Sequence, residues 1–132
     1  MLKQLKPMKE SSSPYLENNF ETVPSLIKWT GSKRLQAKEI QKFIPTESRR
    51  YMEPFLGGGS VLYNNSSKEA LVNDIYSPLI EIWNQVKNNP KSLIERYEYE
   101  WLRLQECFPD YFYTVRERFN SQPNGDDLLF LS

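Results

Sequence analysis

Residues 50–60 constrain the fold more than any other stretch: Arg50-Tyr51-Met52-Glu53-Pro54-Phe55-Leu56-Gly57-Gly58-Gly59-Ser60. An apolar and aromatic approach, closed by a proline, runs into three consecutive glycines and then Val61-Leu62-Tyr63. Glycine reaches positive φ cheaply and, lacking Cβ, lets a ligand lie directly against backbone N–H groups. The stretch therefore reads as a strand feeding a ligand loop. Taken alone, a run of glycines equally suits a tight turn with no ligand, so the surrounding pattern has to decide.

That pattern is a βαβ unit. Arg50 to Phe55 is the first strand candidate and Glu69 to Ile75, containing Ala70-Leu71-Val72, the second, with a short helix over Gly59 to Asn65 between them. Upstream, residues 1–24 mix lysines, Ser11-Ser12-Ser13-Pro14 and polar spacers without periodicity and read as a flexible arm. Folding is expected to begin near Leu26. A loop, Lys28-Trp29-Thr30-Gly31-Ser32-Lys33, then leads into a helix from about Ser32 to Phe43, marked by Ala37, Ile40 and Ile44 and stopped by Pro45.

Downstream the signals are helical. Ser77-Pro78 suits an N-cap followed by N1, and Leu79, Ile82, Trp83 and Val86 carry that helix to about Asn88, where Pro90 ends it. A capping box, Ser92-x-x-Glu95, opens the next helix, whose stripe of Leu93, Tyr97, Trp101, Leu104 and Phe108 reads as core. Pro109 starts another helix through Tyr113 to Phe119, and Asn124-Gly125 turns the chain into a last one beginning at Asp126. That final apolar run has no C-cap, an unusual place for a protein to stop.

Composition narrows the chemistry. A chain of 132 residues, 39% hydrophobic, suits one globular unit. With one cysteine, Cys107, and no histidine, a disulfide framework, a zinc cluster and any His-dependent triad are excluded within this chain, and no metal is expected. No apolar run approaches the ~20 residues that span a bilayer, and the N-terminus lacks a secretory apolar region, so a soluble, cytoplasmic protein is expected. Net charge is zero, yet residues 1–50 carry 10 Lys and Arg against 5 acids and residues 51–132 carry 7 against 12. A basic half is compatible with contacts to a phosphate backbone, and equally with a solvated surface.

Asp74 follows the second apolar strand run, at the distance beyond the glycine loop where dinucleotide-type folds place an acid that accepts from ribose hydroxyls. An ordinary strand-end aspartate is the alternative. Position 62 is Leu62, so no G-x-G-x-x-G fingerprint starts at Gly57, and no G-x-x-x-x-G-K-[ST] loop exists around Lys33. A pyrophosphate cofactor is thereby disfavoured. S-adenosylmethionine has ribose and adenine without phosphate; Lys33 can supply the cation its amino-acid end needs, and Trp29 a flat apolar wall.

These residues carry a family resemblance. Lys28-Trp29-Thr30-Gly31-Ser32-Lys33 resembles the K-W-x-G-G-K motif, and Glu53-Pro54-Phe55-Leu56-Gly57-Gly58-Gly59 the E-P-F-x-G-x-G motif, of Dam-type adenine-N6 DNA methyltransferases. Asn73-Asp74-Ile75 is similar to their third motif, and Tyr113 to Leu131 to the helical stretch that leads into their recognition domain. The resemblance implies an α/β fold, the first part of a Rossmann-like methyltransferase sheet with a helical subdomain, and transfer of a methyl group from S-adenosylmethionine to adenine in double-stranded DNA. It assigns Trp29, Lys33, Phe55, Gly57, Gly59 and Asp74 to the cofactor and Lys28 to DNA. Ser32 departs from the family's glycine. A larger departure is that no Asp-Pro-Pro-Tyr, Asn-Pro-Pro-Tyr or Ser-Pro-Pro-Tyr occurs, the prolines at 45, 54, 78, 90, 109 and 123 being isolated. In the family that motif holds the flipped adenine. The chain is thus expected to supply the cofactor half of the activity and to be inactive alone. The rival expectation is an inactive remnant or binding module, or one half of a split enzyme that pairs with a separate chain carrying the catalytic half.

Overall fold

The computed structural model describes residues 26–63, 65 and 69–132; the expected arm, residues 1–24, lies outside them. The element order is α1 (Ala37–Gln41), β1 (Arg50–Glu53), α2 (Ser60–Tyr63), β2 (Glu69–Val72), α3 (Ser77–Asn88), α4 (Pro90–Glu106), α5 (Asp110–Ser121) and α6 (Gly125–Leu131).

The βαβ expectation holds. β1 and β2 pair in parallel, with Arg50 opposite Glu69 and Glu53 opposite Val72. The ladder outlasts the strands: Asn73 donates to the Glu53 carbonyl and Leu56 to the Asn73 carbonyl, both at 2.9 Å. Those two bonds hold the glycine loop and the start of the Asn73-Asp74 turn side by side. The sheet carries little of the core, for Met52 and Leu71, paired across it, are 69% and 66% exposed. Parallel strands are ordinarily buried on both faces, so these side chains form an apolar surface without cover among the described residues.

The core lies instead where α3, α4 and α6 meet. Leu79 and Ile82 on α3 are fully buried and pack with Ile27, Leu93 and Leu129, while Trp29, Tyr76, Trp83, Val86 and Leu128 close around them. Spacings of three, four and seven from Leu79 put Ile82, Trp83 and Val86 on one helix face, as the sequence pattern requires. α6 crosses α3 closely at Gly125, where a Cβ would sit 2.9 Å from the Glu81 Cβ and 3.0 Å from the Pro78 carbonyl. Ionic contacts clamp α6 to α4 and α5: Arg96 on α4 pairs with Asp126, and Arg118 on α5 takes both oxygens of the buried Asp127 while reaching Glu100. Burial pushes the Asp127 carboxyl up, but the bonds from Arg118 and Asn124 outweigh it, and its pKa lies below the ordinary value.

Several boundaries differ from expectation. The helix expected over Ser32 to Phe43 contracts to α1, with turns on both sides, because only Ala37 is buried and Phe43 is 84% exposed. A short helix without packing does not repay its nucleation. The strands end at Glu53 and Val72, short of Phe55 and Ile75. α3 begins at Ser77 itself, with Tyr76 in the cap position and no side-chain cap bond. The Ser92-Glu95 capping box is not made: α4 begins at Pro90, and the Ser92 hydroxyl accepts from Arg96. Proline needs no partner for a missing N–H at a first helical position, which makes Pro90 the better start. Nor is the α4 stripe all core. Leu93 is buried, but Tyr97, Trp101 and Phe108 are 39%, 49% and 75% exposed. At 17 residues α4 outruns α3 and α6, of 12 and 7. Asn124, expected in a turn, caps α6 by accepting from the Asp127 N–H.

Candidate cofactor cleft

The loop that opens the described chain turns tightly: Ser32 N–H donates to the Trp29 carbonyl, and Gly31 takes φ +77°. This turn brings the Trp29 ring against the glycine loop after β1. A Cβ on Gly57, whose φ is +51°, would come within 3.0 Å of the indole. Gly59, at φ +66°, faces Trp83 so closely that a Cβ would sit 2.6 Å from its ring. Both positions thus need glycine twice over, for backbone and for space. The Trp83 indole N–H donates to the Gly57 carbonyl at 3.1 Å, and Trp29 stacks on Tyr76 with centroids 5.8 Å apart.

Asp74 completes the arrangement. Its carboxylate accepts the Gly57 N–H at 2.9 Å through one oxygen and the Tyr76 N–H at 3.1 Å through the other. The acid after β2 therefore latches the loop after β1. A carboxylate offers about four acceptor sites, so capacity for further hydrogen bonds remains.

These segments enclose a cleft of about 370 Å³, lined by all six residues that the family resemblance assigned to the cofactor: Trp29, Lys33, Phe55, Gly57, Gly59 and Asp74. Lys33 is exposed at its edge and donates to the Gly31 carbonyl at 2.8 Å; the Phe55 ring is 83% exposed. Lys28 is not among the lining residues. It borders a separate groove of about 510 Å³ with Leu93, Tyr97 and Leu129. The six residues thus share one cleft, and Lys28 lies at another.

Three further contributors were not anticipated. Glu53 lines the cleft, accepts from the Tyr51 hydroxyl at 2.8 Å, and has its carboxyl pushed up by burial, against the hydrogen bonds from Tyr51 and the Leu62 backbone. Tyr51 is raised in turn, by burial first and then by Glu53. The strand-end position of Glu53, just before Pro54, was the available signal. The helical spacing marks Trp83 only as one of the residues that carry α3, although a buried indole N–H needs a partner. The Ser32 and Ser60 hydroxyls meet at 3.1 Å across the cleft lining, a contact between residues 28 apart that no local pattern announces. Ser32 sits in ordinary backbone, since no non-glycine among the described residues has positive φ. The departure from the family's glycine is therefore accommodated.

Among the described residues no cluster of histidine, cysteine and acid could hold a metal ion, and no helix is long and apolar enough to cross a membrane. A cleft with a cation at its edge, a carboxylate latch and a glycine floor thus lies where the two parallel strands end. Residues 29–129 match the family model of D12 class N6 adenine-specific DNA methyltransferases, and the chain belongs to that family. It is 32% identical over 129 residues to the DNA adenine methylase of Haemophilus influenzae, covering 96% of this chain and 43% of that protein. A Type II methyltransferase of Lactococcus lactis subsp. cremoris is 38% identical over 80 residues, 61% of this chain and 28% of that one. The DNA adenine methylase of Vibrio cholerae is 32% identical over 108 residues, 82% of this chain and 37% of that one. The chain thus spans less than half the length of these relatives.

Proposed function

We propose that this chain is the S-adenosylmethionine-binding part of a DNA adenine-N6 methyltransferase, built on the opening strands of a Rossmann-like sheet. The observation that carries the reading is the convergence of three sequence segments on one cleft through the Asp74 to Gly57 hydrogen bond. The residues present fit the cofactor. The cleft volume of about 370 Å³ falls in the range of small-molecule sites. Trp29 offers a flat apolar wall for the adenosyl part, Asp74 retains acceptor capacity for ribose hydroxyls, and the Lys33 ammonium suits the carboxylate of the amino-acid end. The bound cofactor supplies an electrophilic methyl group on a sulfonium; the chain's own residues bind and orient it. Lys28, outside the cleft, is available to duplex DNA.

Within the 132 residues nothing matches the Asp-Pro-Pro-Tyr clamp for a flipped adenine. This chain by itself is accordingly inactive, and methyl transfer needs a partner segment or chain that carries the clamp. A second reading is a remnant or binding module that never meets such a partner; in either reading Met52, Leu71 and Ile75, the last 97% exposed, are left uncovered among the described residues. Incorporation of tritiated methyl groups into duplex DNA distinguishes the readings. The first expects none with this chain alone and transfer when a chain carrying the clamp is added; incorporation by the chain alone overturns the claim of inactivity. Failure of the mixture, with cofactor binding intact, favours the binding module.

A further inference from the structure

Away from the cleft, the first described residue stands in the wall of an apolar groove. Leu26, 45% exposed, lines a groove of about 510 Å³ with Leu93, Ile94, Tyr97 and Leu129, and among the described residues that line it Lys28 is the only charged one. Leu26 is fixed there because its neighbour Ile27 is buried in the core beside Leu93 and Leu129. Ile94 and Tyr97, on the α4 side, are 57% and 39% exposed. None of these residues lines the cofactor cleft, so the groove is a separate surface.

Reach and charge together select an occupant. Val23 precedes Leu26 by three residues and Phe20 by six, and a fully extended chain spans at most about 11 Å and 22 Å over those lengths. A segment tethered so close to the groove meets it at an effective concentration that a separate molecule does not reach. Leu16-Glu17-Asn18-Asn19-Phe20-Glu21-Thr22-Val23 carries three large apolar side chains, two acids and no base. It therefore matches an apolar wall with a single cation. Residues 1–9 carry Lys3, Lys6 and Lys9 with no acid, the wrong sign for a groove whose charge is Lys28.

We propose that residues 16–23 of this chain dock in the groove, with Phe20 and Val23 against Ile94, Tyr97 and Leu129 and the carboxylates of Glu17 and Glu21 toward Lys28. Methyl NMR on the full 132-residue chain tests this, with Ile75, 97% exposed and outside the groove, as the reference. Wild type is expected to show nuclear Overhauser contacts from the Phe20 ring to the Ile94 and Leu129 methyls. Phe20→Ser, which alters no described residue, is expected to move the Ile94 methyl resonance and leave that of Ile75 in place. Ile94→Ser supplies a second readout, its fold checked by circular-dichroism melting: chymotryptic cleavage after Phe20 is expected to be roughly tenfold faster than in wild type, because the loss of buried apolar area raises the undocked population. Tryptic cleavage after Lys3 should be equal in the two. An Ile94 methyl indifferent to Phe20→Ser, or equal chymotryptic rates in wild type and Ile94→Ser, overturns the proposal. Ile94 shifts that grow with protein concentration, accompanied by a dimer in sedimentation and no Phe20 contact, give the groove to a second copy instead. Ile94 shifts that arise only on adding duplex DNA, and equally in Phe20→Ser, give it to DNA; both results contradict docking of residues 16–23.

Discussion

Asp74→Ala is the perturbation whose size follows most directly from the geometry. The carboxylate makes two backbone hydrogen bonds, to Gly57 at 2.9 Å and Tyr76 at 3.1 Å, and is partly buried. Each hydrogen bond to a charged group contributes about 1.5–3 kcal/mol. Two effects overlap in the variant. Losing the Gly57 bond frees the glycine loop to leave its ligand-ready shape, and losing the acceptor removes any bond to ribose. Either one weakens binding by roughly one to two orders of magnitude, at about 1.4 kcal/mol per tenfold. Comparing adenosine with deoxyadenosine separates them in a thermodynamic cycle, because only a direct contact distinguishes the two sugars. Wild type is expected to prefer the ribose by about tenfold, and Asp74→Ala to bind both sugars weakly and alike. Calorimetry reads all four affinities. If the variant still prefers the ribose, Asp74 is only a loop latch and the ribose assignment is wrong; if its affinity is unaltered, both roles fall.

Other outcomes follow from the same contacts. Gly59→Ala places a Cβ 2.6 Å from the Trp83 ring at φ +66°, so denaturation followed by tryptophan fluorescence is expected to show a loss of about 2–4 kcal/mol from strain and overpacking together; an unchanged midpoint would contradict the close approach. Lys28→Ala is expected to leave S-adenosylhomocysteine affinity unchanged while making DNA binding less salt-dependent, if the lysine meets phosphate, or less sequence-selective, if it meets a base; a loss of cofactor affinity would place Lys28 in the wrong groove. The Asp127 carboxyl, held below its ordinary value by Arg118 and Asn124 against the upward push of burial, contributes stability that is fully present above the unfolded value of ~3.9 and lost as pH falls through the lower folded value. Asp127→Asn should therefore flatten the acid limb of the stability profile, and an identical limb in the variant would show that other carboxylates set it.

What sequence reasoning could reach depended on whether the cause was local. The glycine loop, the paired strands and the acid after β2 were legible because each rests on backbone chemistry within a few residues: Gly57 and Gly59 need positive φ, and an apolar strand must end before an aspartate can turn outward. The helices after Ser77 were legible from their spacing. The α4 stripe was misread because periodicity shows that a face is apolar, not what lies against it; Tyr97 and Trp101 remain 39% and 49% exposed. The failed capping box has a similar origin. Ser92 and Glu95 have the right spacing, yet Pro90 starts the helix earlier and Arg96 takes the serine. The Ser32–Ser60 contact and the Trp83 bond to Gly57 join residues 28 and 26 apart, and such pairings are decided only when the chain folds back on itself.

The central claim is that the three motif segments form one S-adenosylmethionine site. The most direct measurement is a backbone-amide and indole NMR titration of the labelled chain with S-adenosylhomocysteine. The account predicts saturable shifts concentrated at the Trp29 and Trp83 indoles, the Gly57 and Gly59 amides, Lys33 and Asp74, with α5 and the far end of α4 unmoved. Saturable shifts confined to the Lys28, Tyr97 and Leu129 groove, or none anywhere at millimolar ligand, would contradict it.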